Sequence, residues 1–90
     1  MSYRVIVGHE AKKTIGKLDR TTAGRIRDQL IKLAESPLDA RISNQLKMAP
    51  ERRYARVGDW RIIYEVNENQ SIVEVSAIQH RSRVYKGIKK

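Results

Sequence analysis

The stretch RRYARVGDWRIIYEV, residues 52–66, decides the fold because it reads as two strands joined by a tight turn. Glycine at the first central position of a two-residue loop, here Gly58-Asp59, is typical of a type II′ turn. Such a turn pairs Arg56 with Arg61 across the two strands. Like charges directly opposite each other destabilise a sheet, so the pair raises the question of what it binds.

The apolar residues of this hairpin indicate which way the two arginines point. Side chains alternate between the faces of a strand, and one face is continuously apolar: it consists of Ala55, Val57, Trp60, Ile62, Tyr64 and Val66. We expect helices to cover this face. Tyr54, Arg56, Arg61 and Ile63 then lie on the opposite, uncovered face, because a slip of one residue would push both arginines into the core.

The rest of the chain predicts two helices between an opening strand and the hairpin. The expected elements are a strand at 3–7, a helix from His9 to about Leu18, a second helix that Asp19 to Thr22 begin and Ser36-Pro37 end, a loop with room for one helical turn at 38–51, and strands at 52–57, 60–66 and 71–79. Two helices joined so closely should form an antiparallel helical hairpin. We therefore expect one α+β domain, residues 1–90, with a small, mostly antiparallel four-stranded sheet in the order β-α-α-β-β-β and the helical hairpin on one face.

The composition limits the classes of function. A net charge of +9 over 90 residues points to a polyanionic partner, either nucleic acid or a strongly acidic protein. Without cysteine and with two histidines, the chain is expected to hold no metal site and no cofactor. The sequence has neither a visible signal peptide nor an apolar run of membrane-spanning length, so we expect no membrane association and a cytoplasmic location.

The paired arginines predict a site for a phosphate. Two guanidinium forks aimed at one point match a phosphate in geometry, and strands hold them in place before the ligand arrives. Arg52, Arg53 and Tyr54 extend the patch as RNA-binding candidates. After the last strand come cations around one aromatic ring, a mixture that suits single-stranded nucleic acid: His80, Arg81, Arg83, Tyr85 and Lys86. The alternatives are two solvated arginines and an unstructured basic tail.

With ARVGDWRIIYEV followed by QHRSRVY, the sequence resembles the RelE/ParE family of bacterial toxins. The resemblance also includes LAESP at the end of the second helix and NQLK in the loop, and it covers nearly the whole chain. These toxins are the toxic halves of type II toxin–antitoxin pairs. In RelE-type members the toxin cuts messenger RNA in the ribosomal A site. The resemblance therefore implies a ribosome-dependent, metal-independent endoribonuclease that inhibits translation and is blocked by an antitoxin.

The resemblance also implies roles for individual residues. Arg61 matches the arginine that stabilises the scissile phosphate, and Arg56 matches one of two basic residues on the preceding strand. Tyr54 stands where the other basic residue is found in RelE, which is a departure from the family pattern. Arg81 matches the arginine that protonates or neutralises the leaving group. Tyr85 matches the tyrosine that stacks on or orients the substrate base.

Cleavage of RNA without a metal uses the 2′-hydroxyl as the nucleophile and requires a base. His80 is the candidate base, since an unperturbed histidine titrates at about 6.5. Alternation along the last strand places it with Ser76 and Ile78, opposite Arg81. A weak base would make the enzyme depend on the ribosome to align its substrate, so we expect poor activity on free RNA.

The same basic surface predicts a protein partner. An acidic, RelB-like antitoxin segment that folds on binding is expected to cover Arg61 and Tyr85. Two other readings share the fold: a ParE-like DNA gyrase poison without nuclease chemistry, and an inactive nucleic-acid-binding module.

Overall fold

The computed structural model describes residues 2–82 and shows an α+β fold, as the sequence predicts. Within this range a five-stranded sheet with the strand order β1-β5-β4-β3-β2 accompanies two helices. The elements are β1 (Arg4–Val7), α1 (His9–Lys17), α2 (Arg20–Glu35), β2 (Asn44–Gln45), β3 (Arg52–Val57), β4 (Trp60–Asn67) and β5 (Ile72–His80).

The prediction of a four-stranded, mostly antiparallel sheet is wrong in two details. The short strand β2 lies in the segment expected to be a loop, and it places Asn44 opposite Tyr54. Strand β1 runs parallel to β5, whereas the other three pairings are antiparallel. The chain between β1 and β5 contains both helices and the other three strands, and so provides the long connection that parallel neighbours require. The sheet is therefore mixed.

The two helices are joined by Leu18-Asp19 and pack mainly on the sheet. Helix α1 lies against β5, whereas α2 lies against β1 and β3. This arrangement differs from the expected helical hairpin, because each helix makes its main contacts with different strands. The predicted start of α2 is confirmed: the Asp19 carboxylate accepts a hydrogen bond of 3.0 Å from the amide of Thr22.

The cap of α2 gives the protein a pH dependence in acid. Hydrogen bonds from Thr22 hold the pKa of the Asp19 carboxyl below its ordinary value of 3.8. A carboxyl with a lowered pKa stabilises the folded state above that ordinary value, and the contribution is lost as the pH falls through the folded pKa. Serine caps a helix without titrating. We therefore expect the thermal midpoint of the wild type to fall relative to that of Asp19→Ser from pH ~5 to ~2; parallel curves would contradict this.

One core lies between the helices and the sheet. Its buried members are Ala11, Ile26, Leu33, Ala55, Val57, Ile62, Tyr64, Val73, Val75 and Ile78. Tyr64 is fully buried, and its hydroxyl donates a hydrogen bond of 2.6 Å to the carbonyl of Pro37. The apolar face of the hairpin is therefore the face that the helices cover, as the alternation predicts.

The register of the hairpin is also confirmed. Val57 lies opposite Trp60, and Arg56 lies opposite Arg61. Gly58 has a φ of 59°. Asp59 has a negative φ, because Ser71 is the one non-glycine residue with a positive φ among residues 2–82. A positive φ at the first central residue alone is the conformation of a type II′ turn.

Strand β5 contains a bulge that the sequence pattern does not reveal. Ile63 lies opposite Ala77, whereas Tyr64 lies opposite Val75, so Ser76 is an extra residue in β5. Beyond the bulge the alternation shifts by one residue. Ile78 consequently joins Val75 in the core under the helices. Ile78 and His80 share a face as predicted, since they lie opposite Ile62 and Trp60, whereas Ser76 falls out of the predicted alternation as the extra residue.

Candidate functional site

The two hairpin arginines lie side by side at the turn end of the sheet. They form a directly opposed pair on the face away from the helices, as predicted. The guanidinium carbon of Arg61 lies 5.4 Å from the ring centroid of Tyr54, the diagonal neighbour on the same face. A cation at this distance is attracted by the aromatic ring. The sheet and Tyr54 together therefore hold the Arg61 side chain in a defined position.

The two arginines differ in their exposure. Arg56 is exposed, but Arg61 is only 8% exposed, so the prediction of an uncovered face is wrong at Arg61. Within residues 2–82, the guanidinium of Arg56 has no hydrogen bond or ion pair with another group. Its donors are thus available to an anion that approaches the pair from solvent.

Arg81 is attached to the same end of the sheet through the hairpin turn. Its backbone amide donates a hydrogen bond of 2.7 Å to the carbonyl of Asp59. Its Nη1 lies 3.8 Å from Oδ1 of Asp59, and both side chains are more than half exposed. The sequence did not point to Asp59 as anything but a turn residue. In the structure it positions Arg81 at the end of the hairpin where Arg56 and Arg61 lie.

The structure separates His80 from the arginines. His80 lies directly opposite Trp60, and their ring centroids are 5.3 Å apart with the planes at 86°. Trp60 packs against the core, so both rings lie on the side of the sheet that the helices cover. His80 thus shares this face with Ile78, as the alternation along β5 predicts. A 2′-hydroxyl beside a phosphate held by the arginine pair lies on the opposite face of the sheet from this ring, so His80 is not assigned as the base.

Arg53 proves to be an anchor for the loop before β3. Its Nη2 donates hydrogen bonds to the hydroxyl of Ser43 at 2.9 Å and to the carbonyl of Ser43 at 3.3 Å. Ser43 is buried, and its hydroxyl in turn reaches the carbonyl of Pro37. By contrast, Arg52 lies on the open face in a half-exposed ion pair with Glu65, in which Nε and Oε2 are 3.1 Å apart. The RNA-binding role predicted for Arg53 therefore conflicts with its position.

Substitution of these two neighbours should separate their roles. Arg53→Ala leaves the buried hydroxyl of Ser43 without its charged partner, and we expect a loss of about 1–3 kcal/mol of unfolding free energy. Arg52→Ala removes an exposed ion pair and should cost less than about 1 kcal/mol. Urea unfolding of both variants measures the difference. Equal losses would show that Arg53 does not hold the loop.

Some predicted residues lie outside the described part of the chain. These are Arg83, Tyr85 and Lys86, whose roles stay predictions. In residues 2–82 no three histidine, aspartate or glutamate side chains are grouped so that they could hold a metal ion. The same part of the chain has no helix of the length and apolarity needed to cross a membrane.

Solved structures that are similar to this chain include RelE toxins. The toxin–antitoxin complex RelBE2 of Mycobacterium tuberculosis is 23% identical over 90% of this chain and 100% of that chain, with a TM-score of 0.78. The archaeal RelE–RelB complex of Pyrococcus horikoshii is 24% identical over 92% and 99%, also with a TM-score of 0.78.

An E. coli RelE mutant in complex with a peptide of the antitoxin RelBc is 24% identical over 100% of this chain and 97% of that chain, again with a TM-score of 0.78. At these identities the likeness establishes the fold. The comparison with curated proteins gave no significant match.

The sequence itself carries the family assignment. The model of the family described as the ParE toxin of the type II toxin–antitoxin system, parDE, matches residues 5–85. This range includes the hairpin with both arginines and extends through Tyr85. The chain therefore belongs to the RelE/ParE family of toxins of type II toxin–antitoxin systems.

Proposed function

We propose that this toxin is a RelE-like endoribonuclease that cuts messenger RNA in the ribosomal A site without a metal ion. The observation that carries the proposal is the opposed pair Arg56 and Arg61 at one end of the open face. Two like charges in this position oppose folding. A phosphodiester between them removes the repulsion and accepts hydrogen bonds from both guanidinium forks.

The difference in exposure of the two arginines suits a division of labour. Arg61 is 8% exposed and packed on Tyr54, so its donors are fixed before the substrate binds. Preorganised donors at a developing negative charge are the largest single source of catalysis in many enzymes. Arg56 is exposed and has no partner within residues 2–82, so it can draw the RNA backbone toward Arg61.

The proposed reaction is a transesterification followed by release of the products. The 2′-oxygen bonds to the adjacent phosphorus and gives its proton to water, while the bond to the 5′-oxygen of the next nucleotide breaks and that oxygen takes up a proton from water. Arg56 and Arg61 stabilise the negative charge on the pentacovalent phosphorus, and Arg81 neutralises the departing 5′-oxygen. The products are a 2′,3′-cyclic phosphate, or the 3′-phosphate formed from it, and a 5′-hydroxyl.

Alignment of the RNA by the ribosome is part of the proposal. With His80 on the other face, residues 2–82 place no histidine beside the arginine pair to act as a base. Positioning alone can supply a large part of a barrier reduction. The role of Tyr85 in stacking on the substrate base follows from the family resemblance and lies outside the described residues.

The proposed partner is a RelB-like antitoxin with an acidic segment. Three structures similar to this chain are toxins held with RelB-type antitoxins. A chain with a net charge of +9 attracts an acidic segment by charge complementarity. Such a segment would block the arginine pair while the antitoxin is present. Action on translating ribosomes in turn places the proposed activity in the cytoplasm.

A ParE-like gyrase poison is the second candidate. The matching family model carries the ParE name, and one of the two arginines is largely covered. A poison of this kind binds a DNA–enzyme complex and needs no chemistry of its own. In favour of the nuclease, the family resemblance supplies the arginine set of RelE, which ParE-type chains generally lack.

Induction of the toxin in a bacterial host separates the two candidates. The 5′ ends of messages are mapped shortly after induction, and chromosome integrity is measured in the same cells. The nuclease proposal predicts new 5′ ends inside translated codons, each with a 5′-hydroxyl. Intact messages with broken chromosomes would favour the gyrase poison, and normal growth without either lesion would indicate an inactive module.

A further inference from the structure

The rings of Trp60 and His80 separate two grooves on the helix side of the hairpin turn. The larger groove, about 560 Å³, lies between α1 and the end of β5. The smaller one, about 260 Å³, lies between the first turns of α2 and Gly58-Asp59. Together they have the size of a small-molecule site. The nuclease proposal makes no use of either groove.

We propose that these grooves bind one nucleotide of the RNA strand beside the scissile one. The base lies against Trp60 and His80, and its phosphate lies between Lys17 and Arg25. The identity of the strand as substrate RNA rests on the function proposed above. The grooves would then position the substrate, and His80 would act as a stacking surface rather than as a proton acceptor.

The aromatic pair supplies a surface for a base. Trp60 and His80 are both half-buried, and their edge-to-face contact gives each groove one wall made of ring atoms. Every base has a π-face, so stacking on such a ring tolerates any sequence. The neighbouring backbone of β5 can add hydrogen bonds to the base edge.

Strand β5 has an open edge along the larger groove. Strand β1 ends at Val7, and the amide of Gly8 donates a hydrogen bond of 2.8 Å to the carbonyl of Val75 before the chain enters α1. Strand β5 continues to His80, and on this edge the described part of the chain places no strand beside residues 76–80. Backbone groups there need partners. The edges of an unpaired base can provide them.

The charges around the grooves suit a phosphate. Lys17 lines the larger groove and Arg25 the smaller one, and both are exposed. Neither side chain has a hydrogen bond or ion pair within residues 2–82. Two carboxylates also line the grooves: Glu10 in the larger and Asp59 in the smaller. Asp59 faces Arg81 at 3.8 Å, and Glu10 can accept a hydrogen bond from a base amino group.

The grooves are continuous with the arginine pair around the hairpin turn. The pair Val57–Trp60 is the rung next to Arg56–Arg61, and its side chains point to the opposite face. Successive residues of a strand are about 3.4 Å apart. An RNA strand that crosses the end of the hairpin can therefore contact the arginines on one face and Trp60 on the other.

Trp60 is the one tryptophan of the chain, so intrinsic fluorescence reports on this site directly. Titration of the purified full chain with a single-stranded uridine hexanucleotide should quench the fluorescence to saturation. In Lys17→Glu/Arg25→Glu we expect the dissociation constant to rise by about tenfold or more. The slope of the logarithm of the binding constant against the logarithm of the salt concentration should become shallower by about 0.7, the value for one single-strand phosphate contact removed.

The matched control is Lys12→Glu/Lys32→Glu. It reverses the same number of charges on the same two helices, but neither residue lines the two grooves. Its dissociation constant should stay within about threefold of the wild-type value. If the charge reversal at Lys17 and Arg25 disturbs the thermal midpoint, the neutral pair Lys17→Gln/Arg25→Gln serves instead. His80→Ala should reduce the affinity as well, because it removes one wall of the base site.

The outcomes distinguish this inference from the proposed function. If the wild type cuts ribosome-bound messages but the two double variants bind the hexanucleotide equally, the groove site is wrong and the nuclease stands. If the wild type cuts no message, but Lys17→Glu/Arg25→Glu loses binding and Lys12→Glu/Lys32→Glu does not, the groove site is supported and the nuclease proposal is wrong. Equal quenching by polyglutamate of the same charge would overturn the inference in favour of an acidic protein segment.

Discussion

A glutamate in place of Arg56 should make this toxin more stable and remove its activity. The new carboxylate would lie directly opposite Arg61 and replace a repulsive pair with an attractive one. Opposite charges across a sheet stabilise it by about 0.2–1 kcal/mol, and the repulsion of like charges is removed in addition. The same carboxylate would occupy the phosphate site with a negative charge. We expect cleavage of ribosome-bound message to fall by at least about 100-fold.

Urea unfolding and single-turnover cleavage measure the two effects on one preparation. Arg27→Glu is the control, because it makes the same change of charge at an exposed position of α2. The control should keep the wild-type cleavage rate and should not gain stability. A variant Arg56→Glu that loses stability, or that still cuts message at the wild-type rate, would show that the pair is not held apart for an anion.

Removal of the covered arginine should have the larger effect on the chemical step. Arg61 is fixed by the sheet and by the ring of Tyr54, so its donors need no reorganisation when charge develops on the phosphate. We expect Arg61→Ala to lower the cleavage rate at saturating ribosome concentration by about 10²–10³-fold, the effect of removing one preorganised donor. Arg61→Lys should fall almost as far, since lysine keeps the charge but lacks the planar fork.

The comparison variant is Arg4→Ala, an exposed arginine of β1, at the far edge of the sheet from β3. It removes one positive charge and should change ribosome binding and cleavage little. The cleavage rates should be accompanied by thermal melts of each variant. Full activity of Arg61→Lys would mean that charge alone is required at this position, which would contradict the proposed bidentate contact.

The hairpin could be predicted from the sequence because two independent features determine its register. The turn at Gly58-Asp59 and the alternation of apolar residues from Ala55 to Val66 demand the same pairing. The faces of Arg56 and Arg61 follow from that pairing alone. Agreement between local turn chemistry and burial is what makes a register predictable.

Other features depend on interactions that no local pattern records. The bulge adds Ser76 to β5 as an extra residue, so simple alternation grouped Ser76 with Ile78 and His80 although the bulge takes it out of that pattern. Strand β2 has two polar residues and no alternation, so its pairing with β3 is visible only in the folded chain. The pattern also assigns a face to Arg61 without saying how far that face is covered, and its low exposure was missed for this reason.

Joint action of Arg56 and Arg61 on one phosphate can be measured with a double-mutant cycle. Cleavage of ribosome-bound message is measured for the wild type, Arg56→Ala, Arg61→Ala and the double variant at saturating ribosome concentration. If both guanidiniums bind the same phosphate, the double variant should lose clearly less than the product of the two single losses, because removal of either fork already weakens the contact of the other. Single losses that multiply in the double variant, or a wild type that leaves the message intact, would contradict the account.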